Sequence, residues 1–326
     1  MRTLLSRLLW VLLVVWATTT LTFFVTAVLP GDPARLVAGP SAGPAQIEAI
    51  RRELGLDRPP LFRYGLFLRR LVHTRGHASH QSCQPLVWGV HVDLGQSVRF
   101  RQPVLGLVAS RLPRTLLLAF AAVCLQLAFG IPLGALAAAR RGTWLDTGAV
   151  GATLLGASVP TFLLGPLLQF LFAYELQLLP LDGYGATPLE HAACLVLPAL
   201  TLGIVGSAGF TRLARSELIT VLAQDHVRTA RAKGLGEVAV VFRHGVRVAL
   251  GPLVTAAGLE LGGLVGGAMV TESVFRWPGL GQLSVQAALG RDSPLLSGIV
   301  LVSSATIALL TLLVDLSYRW LDPRQR

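Results

Sequence analysis

Long apolar stretches alternate with short polar ones along this chain, and their lengths decide its class before any motif is considered. Five stretches carry no charged residue over the roughly twenty positions that a helix needs to cross a hydrocarbon core. They are Leu8 to Leu29, Thr115 to Ala139, Thr147 to Tyr174, Ala192 to Thr211 and Leu295 to Val314. A sixth, Leu250 to Thr271, is interrupted only by Glu260. Backbone in lipid must satisfy its own hydrogen bonds, so the pattern predicts an all-α polytopic membrane protein with six transmembrane helices. The first stretch is too long for the apolar core of a secretory signal. No A-x-A-like site follows it before Pro30-Gly31-Asp32-Pro33, so it is read as an uncleaved first helix.

The polar stretches organise the rest. Residues 1–30 form the first span, residues 31–110 an external segment, and residues 111–326 a five-helix core. The external segment is rich in Pro, Gly, Arg and His, and Gln46 to Leu54 reads as a short amphipathic helix before the turn Asp57-Arg58-Pro59-Pro60. Pro160 and Pro166 should kink the third span. Leu181-Asp182-Gly183-Tyr184-Gly185 and Arg276-Trp277-Pro278-Gly279-Leu280-Gly281 read as external turns, and the largest cytoplasmic loop spans residues 212–247.

Composition and charge sharpen this picture. Apolar residues make up 53% and charged residues 14%, with a mean hydropathy of +0.62. A net charge of +11 would point to nucleic acid in a soluble protein, but topology accounts for it here. Arg2 and Arg7 precede the first span, Arg140 and Arg141 follow the second, and a basic cluster follows the fourth. Arg319, Arg324 and Arg326 follow the sixth. With alternating helices all four sets share one side, which predicts both termini in the cytoplasm and no nucleic-acid partner. Arg51, Arg52, Arg69 and Arg70 lie outside on this scheme, in a segment long enough to be largely exempt from the charge rule.

Lys233 is the sole lysine, and it precedes Gly234 rather than the hydroxyl residue of a phosphate-binding loop. The chain therefore cannot build that nucleotide site, and ATP-driven work would need a partner ATPase. The three cysteines, Cys83, Cys124 and Cys194, do not make a disulfide framework. No G-x-S-x-G or H-E-x-x-H set appears, so no catalytic residue is assigned and the chain reads as a transport subunit rather than an enzyme.

The patch Arg228-Thr229-Ala230-Arg231-Ala232-Lys233-Gly234-Leu235 is a polar helix in a chain made mostly for lipid. Asp225 near its start and Lys233 near its end suit the helix dipole, and Gly234 supplies a stop. The small Ala230 and Ala232 leave a slim surface that can seat in a groove. The plain alternative is a solvated cytoplasmic loop. This patch, with Arg243-His244-Gly245-Val246-Arg247 and Pro252 beyond it, resembles the cytoplasmic loop of binding-protein-dependent ABC permeases. The match is to the dipeptide, oligopeptide and nickel subfamily, in its first permease subunit. Leu29-Pro30-Gly31-Asp32-Pro33, Leu54-Gly55-Leu56-Asp57-Arg58-Pro59, Asp93-Leu94-Gly95-Gln96-Ser97, Glu272 to Gly281, Arg291-Asp292-Ser293-Pro294 and Leu321-Asp322-Pro323-Arg324 extend the resemblance over nearly the whole chain.

The resemblance implies a type I ABC importer permease fold, in which residues 228–235 form a coupling helix that docks on a cytoplasmic ATPase. It implies a second homologous permease, two cytoplasmic ATPase subunits that carry ATP and Mg, and an external substrate-binding protein, in the inner membrane of a bacterium. Arg228-Thr229-Ala230 stands where the general motif has Glu-Ala-Ala, a departure that the peptide and nickel subgroup resembles. The implied substrate is a di- or oligopeptide, with nickel or another metal complex, or glutathione, as alternatives. An ion-gradient-driven secondary transporter and a membrane scaffold are the readings from other classes.

Three further features carry alternatives of their own. Gly258, Gly262 and Gly266 repeat every fourth residue, with Gly263 and Gly267 one step round, a spacing that lets helices approach closely. The stripe either packs inside this subunit or meets a second permease along the translocation pathway. Glu260 near mid-membrane is either a hydrogen-bonded structural acid or a pathway residue that meets a substrate amine or a cation. His73, His77, His80, Cys83 and His91 crowd the external segment, with His73 and His77 expected on one helix face. Imidazole and thiolate suit zinc, nickel or copper, while the surrounding Gly, Ser, Gln and Pro suit a disordered loop with no metal.

Overall fold

The computed structural model describes residues 2–28, 34, 38–39, 42–53, 55, 57–71, 73–74, 84–87 and 90–321 of the chain. They form two compact units, one from Met1–Arg114 with Gly279–Ala308 and one from Thr115–Pro278 with Leu309–Arg326. Among the described residues, five helices are long and apolar enough to cross a bilayer, and a bent pair makes six if it is taken as one span.

In the first unit, α1 (Arg2–Val28) carries Leu, Val and Trp side chains outward, as a helix facing lipid should. Its hydroxyls do not break it, because Thr18, Thr19 and Thr20 each donate to a carbonyl one turn back. Thr20 also meets the Tyr64 hydroxyl at 2.6 Å, and Phe23 and Phe24 pack on the same ring. Tyr64 belongs to α3 (Pro60–Leu71), which follows α2 (Pro44–Glu53). α2 matches the short amphipathic helix expected at Gln46 to Leu54, whereas α3 was not anticipated.

Next come β1 (His73–Thr74), β2 (Gln84–Val87) and β3 (Val90–Val92), an antiparallel sheet in the order β1-β3-β2 with a bulge between Pro85 and Val87. The expectation that His73 starts a helix face shared with His77 is corrected here, since His73 is a strand residue. Val90-His91-Val92 alternates at the period of two that a strand requires. A second correction concerns the stretch after residue 278. Leu280–Leu289 is a short helix, α12, whose Leu280, Leu283 and Ala287 join Leu94, Val104, Val108, Leu295 and Ile299 in a buried cluster.

The second unit is built on α4 (Val104–Ala139), which contributes Thr115 onward, and on α7 (Pro188–Leu222). α7 continues well past the expected boundary at Arg212, because Ala214, Leu218, Val221 and Leu222 keep one buried stripe while the charges face out. α4 and α7 approach so closely that a Cβ on Gly134 would lie 2.6 Å from the Thr211 carbonyl. Only glycine permits that contact.

Between them, α5 (Trp144–Ser158) and α6 (Thr161–Leu168) meet at a 96° bend. Pro160 caps the start of α6, and Pro166 precedes a π-helical turn at Gln169–Glu175, so the two prolines break the span as expected. After α7 come α8 (Asp225–Ala232), α9 (Glu237–Ala239), a π-helical stretch at Val240–Val246, and α10 (Arg247–Gly267). α11 (Met269–Val274) and the unit's share of α13 (Ser293–Leu321) complete it. The turn at residues 181–185 is pinned to the turn after α11. Gly183 N donates to Phe275 O at 2.9 Å, Arg276 pairs with Asp182 at 3.3 Å, and Tyr184 lies between His191 and the fully buried Trp277.

Candidate functional site

The polar helix expected at residues 228–235 is present as α8 and its C-terminal turn. α7 ends at Leu222, and Gln224 in extended backbone starts the new helix with Asp225 in its first turn. Val227 and Ala230, three apart, are buried and fix one face to this chain's own core. Ala230 is therefore unavailable to a partner, contrary to its expected place in an exposed slim surface. Arg228, Thr229, Ala232 and Lys233 are exposed on the other face.

The end of the helix is set by Gly234, whose φ of +80° lies in the left-handed region that favours glycine. A Cβ there would meet nothing within 4 Å, so the requirement is conformational rather than steric. Gly234 N donates to Arg231 O at 2.9 Å, and Leu235 N donates to Ala230 O at 3.4 Å. Arg231 then grips Glu237 with two contacts of 2.8 and 3.2 Å, tying α8 to α9. Leu235 and Val238 stay exposed beside this pair, so an apolar spot sits within a basic rim. Sequence reasoning found the helix and missed the Glu237 tie, which spans six residues across a turn.

The second candidate lies at mid-span. Gln126 of α4 is almost fully buried, and its Nε2 donates to Leu202 O of α7 at 3.2 Å and reaches Glu260 Oε1 of α10 at 3.5 Å. Its Oε1 is buried with no hydrogen-bond partner among the described residues. Gly206 of α7 makes room for the amide, since a Cβ there would overlap it. Glu260 itself is half-buried, and its contact with Gln126 is at the outer limit of a hydrogen bond. Gln126 escaped the sequence reading, although it is the only amide in the uncharged stretch from Thr115 to Ala139.

The glycine stripe of α10 divides between two settings. Gly258 is buried, and a Cβ on it would overlap Val314, so this position packs inside the subunit. Gly262 is buried as well. Gly263 and Gly267 are exposed, with nothing within 4 Å of where a Cβ would stand.

Other acids are committed to structure. Asp146, near the start of α5, makes a two-pronged pair with Arg215 of α7 at 2.6 and 2.8 Å and accepts from Gly142 N at 3.0 Å. Glu272 is fully buried and accepts from Thr115 Oγ1 at 2.8 Å. Asp292, also fully buried, accepts at one oxygen from Ser97 Oγ at 2.5 Å and from Arg99 N at 3.0 Å, and at the other from Leu295 N at 3.2 Å. It thus caps α13 and binds the Asp93–Ser97 stretch to it.

Within residues 31–110 the backbone register sets His73 opposite His91, while His77, His80 and Cys83 lie outside the described residues. Among the described residues no three His, Cys, Asp or Glu side chains gather as a metal site.

Comparison with known proteins gives these features a context. The profile of the family described as binding-protein-dependent transport system inner membrane component matches residues 130–326. A companion profile for the N-terminal part of such membrane components matches residues 1–119. A Brucella abortus (strain 2308) protein named as a peptide transport system permease is 40% identical over 309 residues, covering 94% of this chain and 93% of its own. The glutathione transport system permease protein GsiC of Escherichia coli K12 is 38% identical over 321 residues, covering 98% and 97%. An inward-facing structure of the MetNI methionine ABC transporter superposes with a TM-score of 0.56 at 20% identity, over 68% of this chain and 98% of that one. The last likeness concerns the fold alone.

Proposed function

The chain belongs to the family of binding-protein-dependent transport system inner membrane components, and on that premise we propose that it is the subunit through which di- or oligopeptides cross the bacterial inner membrane. Its work is driven by two ATPase subunits that hold ATP and Mg on the cytoplasmic side, and a second homologous permease completes the pathway. An external binding protein delivers the substrate, and both termini of this chain lie in the cytoplasm. The chain itself hydrolyses nothing.

The observation that carries this reading is α8. It is anchored on one side by Val227 and Ala230 and offers Arg228, Thr229, Ala232, Lys233 and Leu235 on the other. A helix held this way transmits a push without being absorbed into the core. The peptide substrate is supported by the Brucella relative's name. Glutathione, itself a modified tripeptide, is the second reading because of the GsiC relative.

The test is uptake into proteoliposomes that hold the chain with its ATPases and second permease, supplied with the binding protein and ATP. Labelled dipeptides, oligopeptides, glutathione and nickel are compared. Gly234→Asp forces an L-residue into left-handed backbone, at a cost of about 1–2 kcal/mol locally. It is expected to leave the chain in the membrane and abolish uptake. Normal uptake by this variant would end the coupling assignment. Uptake by this chain alone under a proton gradient would end the ATP-driven reading.

A further inference from the structure

A groove lies beside the contact between α5 and α7. α5 and α7 touch at Gly156, where a Cβ would stand 2.9 Å from Ile204 Cγ2, and they are tied again by the Asp146–Arg215 pair. Between these two points, ten residues or roughly 15 Å of helix apart, the buried Ala149 and Thr153 close the seam, and the groove beside it measures about 520 Å³. Its α5 wall is Thr147, Val150, Gly151 and Leu154, which fall on one helix face at the spacing i, i+3, i+4, i+7. Arg212 stands on the α7 wall, one turn from Arg215.

The chemistry of the groove is graded from end to end. Leu154 and Val150 make one end apolar, and Thr147 and Arg212 make the other polar. Asp146 is neutralised by Arg215 through both of its oxygens. Arg212 is exposed, and no hydrogen bond or ion pair to it is found among the described residues. The groove therefore keeps one uncompensated positive charge.

Its depth is fixed independently. Arg212 directly follows the uncharged stretch Ala192 to Thr211, and the exposed Trp144 opens α5 next to Arg140 and Arg141. A tryptophan beside arginines marks a membrane–water boundary on the basic, cytoplasmic side. An apolar trough in the hydrocarbon that ends at a lone guanidinium in the headgroup layer fits an anionic amphiphile better than a peptide helix or a soluble anion. Basic pockets between helices at this level take anionic headgroups.

We propose that this groove is a binding site for an anionic phospholipid of the cytoplasmic leaflet. Arg212 and the Thr147 hydroxyl hold the headgroup phosphate, and an acyl chain lies along Val150, Gly151 and Leu154.

The purified full chain is exchanged into vesicles of phosphatidylcholine and phosphatidylglycerol in equal parts, re-extracted, and its retained lipids counted by native mass spectrometry. The natural chain is expected to favour phosphatidylglycerol about fivefold, the weight of one basic residue at an anionic surface. Arg212→Gln should bring the two lipids to parity. Leu154→Trp, which fills the apolar end, should reduce retention of both. Both variants should keep the thermal stability of the natural chain, since neither side chain is part of the buried core. An unchanged preference in Arg212→Gln overturns the proposal. So does displacement of the lipid by inorganic phosphate, which would make the occupant a free anion. A Leu154→Trp chain that retains its lipid but no longer assembles with a second permease would also overturn it, by assigning the groove to a protein helix.

Discussion

Asp292 and Glu260 are both acids removed from bulk water, and their surroundings could hardly differ more. Asp292 receives a hydroxyl and two backbone N–H groups, so both of its oxygens are occupied and its burial is compensated. Among the described residues, Glu260 has a single 3.5 Å approach from an amide that already serves Leu202 O. The first carboxylate is used up in holding the chain together. The second keeps acceptor capacity in a place where an unspent charge is expensive, and the unpartnered Oε1 of Gln126 beside it repeats the imbalance. Sequence position alone would have ranked them otherwise, since Asp292 sits in a loop and Glu260 in a helix.

Five substitutions test this difference and the packing around it. Asp292→Ala should have the largest effect, because it strips three donors of a charged acceptor at once. A loss of roughly 3 kcal/mol or more, read as a lower midpoint of thermal unfolding in detergent, is expected. Gly258→Leu forces a side chain into Val314 and should cost about 1–3 kcal/mol. The paired control Gly263→Leu enters open space and should leave the isolated chain unchanged. If it instead weakens co-purification with the second permease, the open side of α10 is a subunit contact.

Glu260→Gln should barely move stability and should lower uptake of substrates with a free amine about tenfold, the equivalent of one charged hydrogen bond. Equal uptake across a pH series would return Glu260 to the structural class of Asp292. Smallest of all is Arg231→Ala. Its pair with Glu237 is largely solvated, and a change within about 1 kcal/mol is expected by differential scanning fluorimetry.

The spans were legible because their signal is local. Twenty uncharged residues announce a helix wherever they fall, and Pro160 announces its break. α7 shows the limit of that logic. Charges at Arg212 and Arg215 mark the end of the membrane, yet the helix runs on to Leu222 on the strength of a buried stripe. α3 and α12 were missed for a related reason, being short and anchored by contacts with residues far off in sequence. The candidate site divides in the same manner. Residues 228–235 stand out as polar amid apolar neighbours. Gln126 with Glu260, Asp146 with Arg215 and Ser97 with Asp292 are pairs 134, 69 and 195 positions apart, and no periodicity links their members.

The length of α7 has a mechanical consequence. Its 35 residues rise roughly 52 Å from the Thr187 cap to the threshold of α8, and Pro198 interrupts its hydrogen-bond ladder near the Thr187 end. The 24 residues beyond that proline make an arm of roughly 36 Å. A tilt of about 5° at the proline sweeps the far end of that arm sideways through roughly 3 Å, two residues' rise along a helix. Small angular movements at Pro198 are thereby delivered to α8 as displacements of side-chain size.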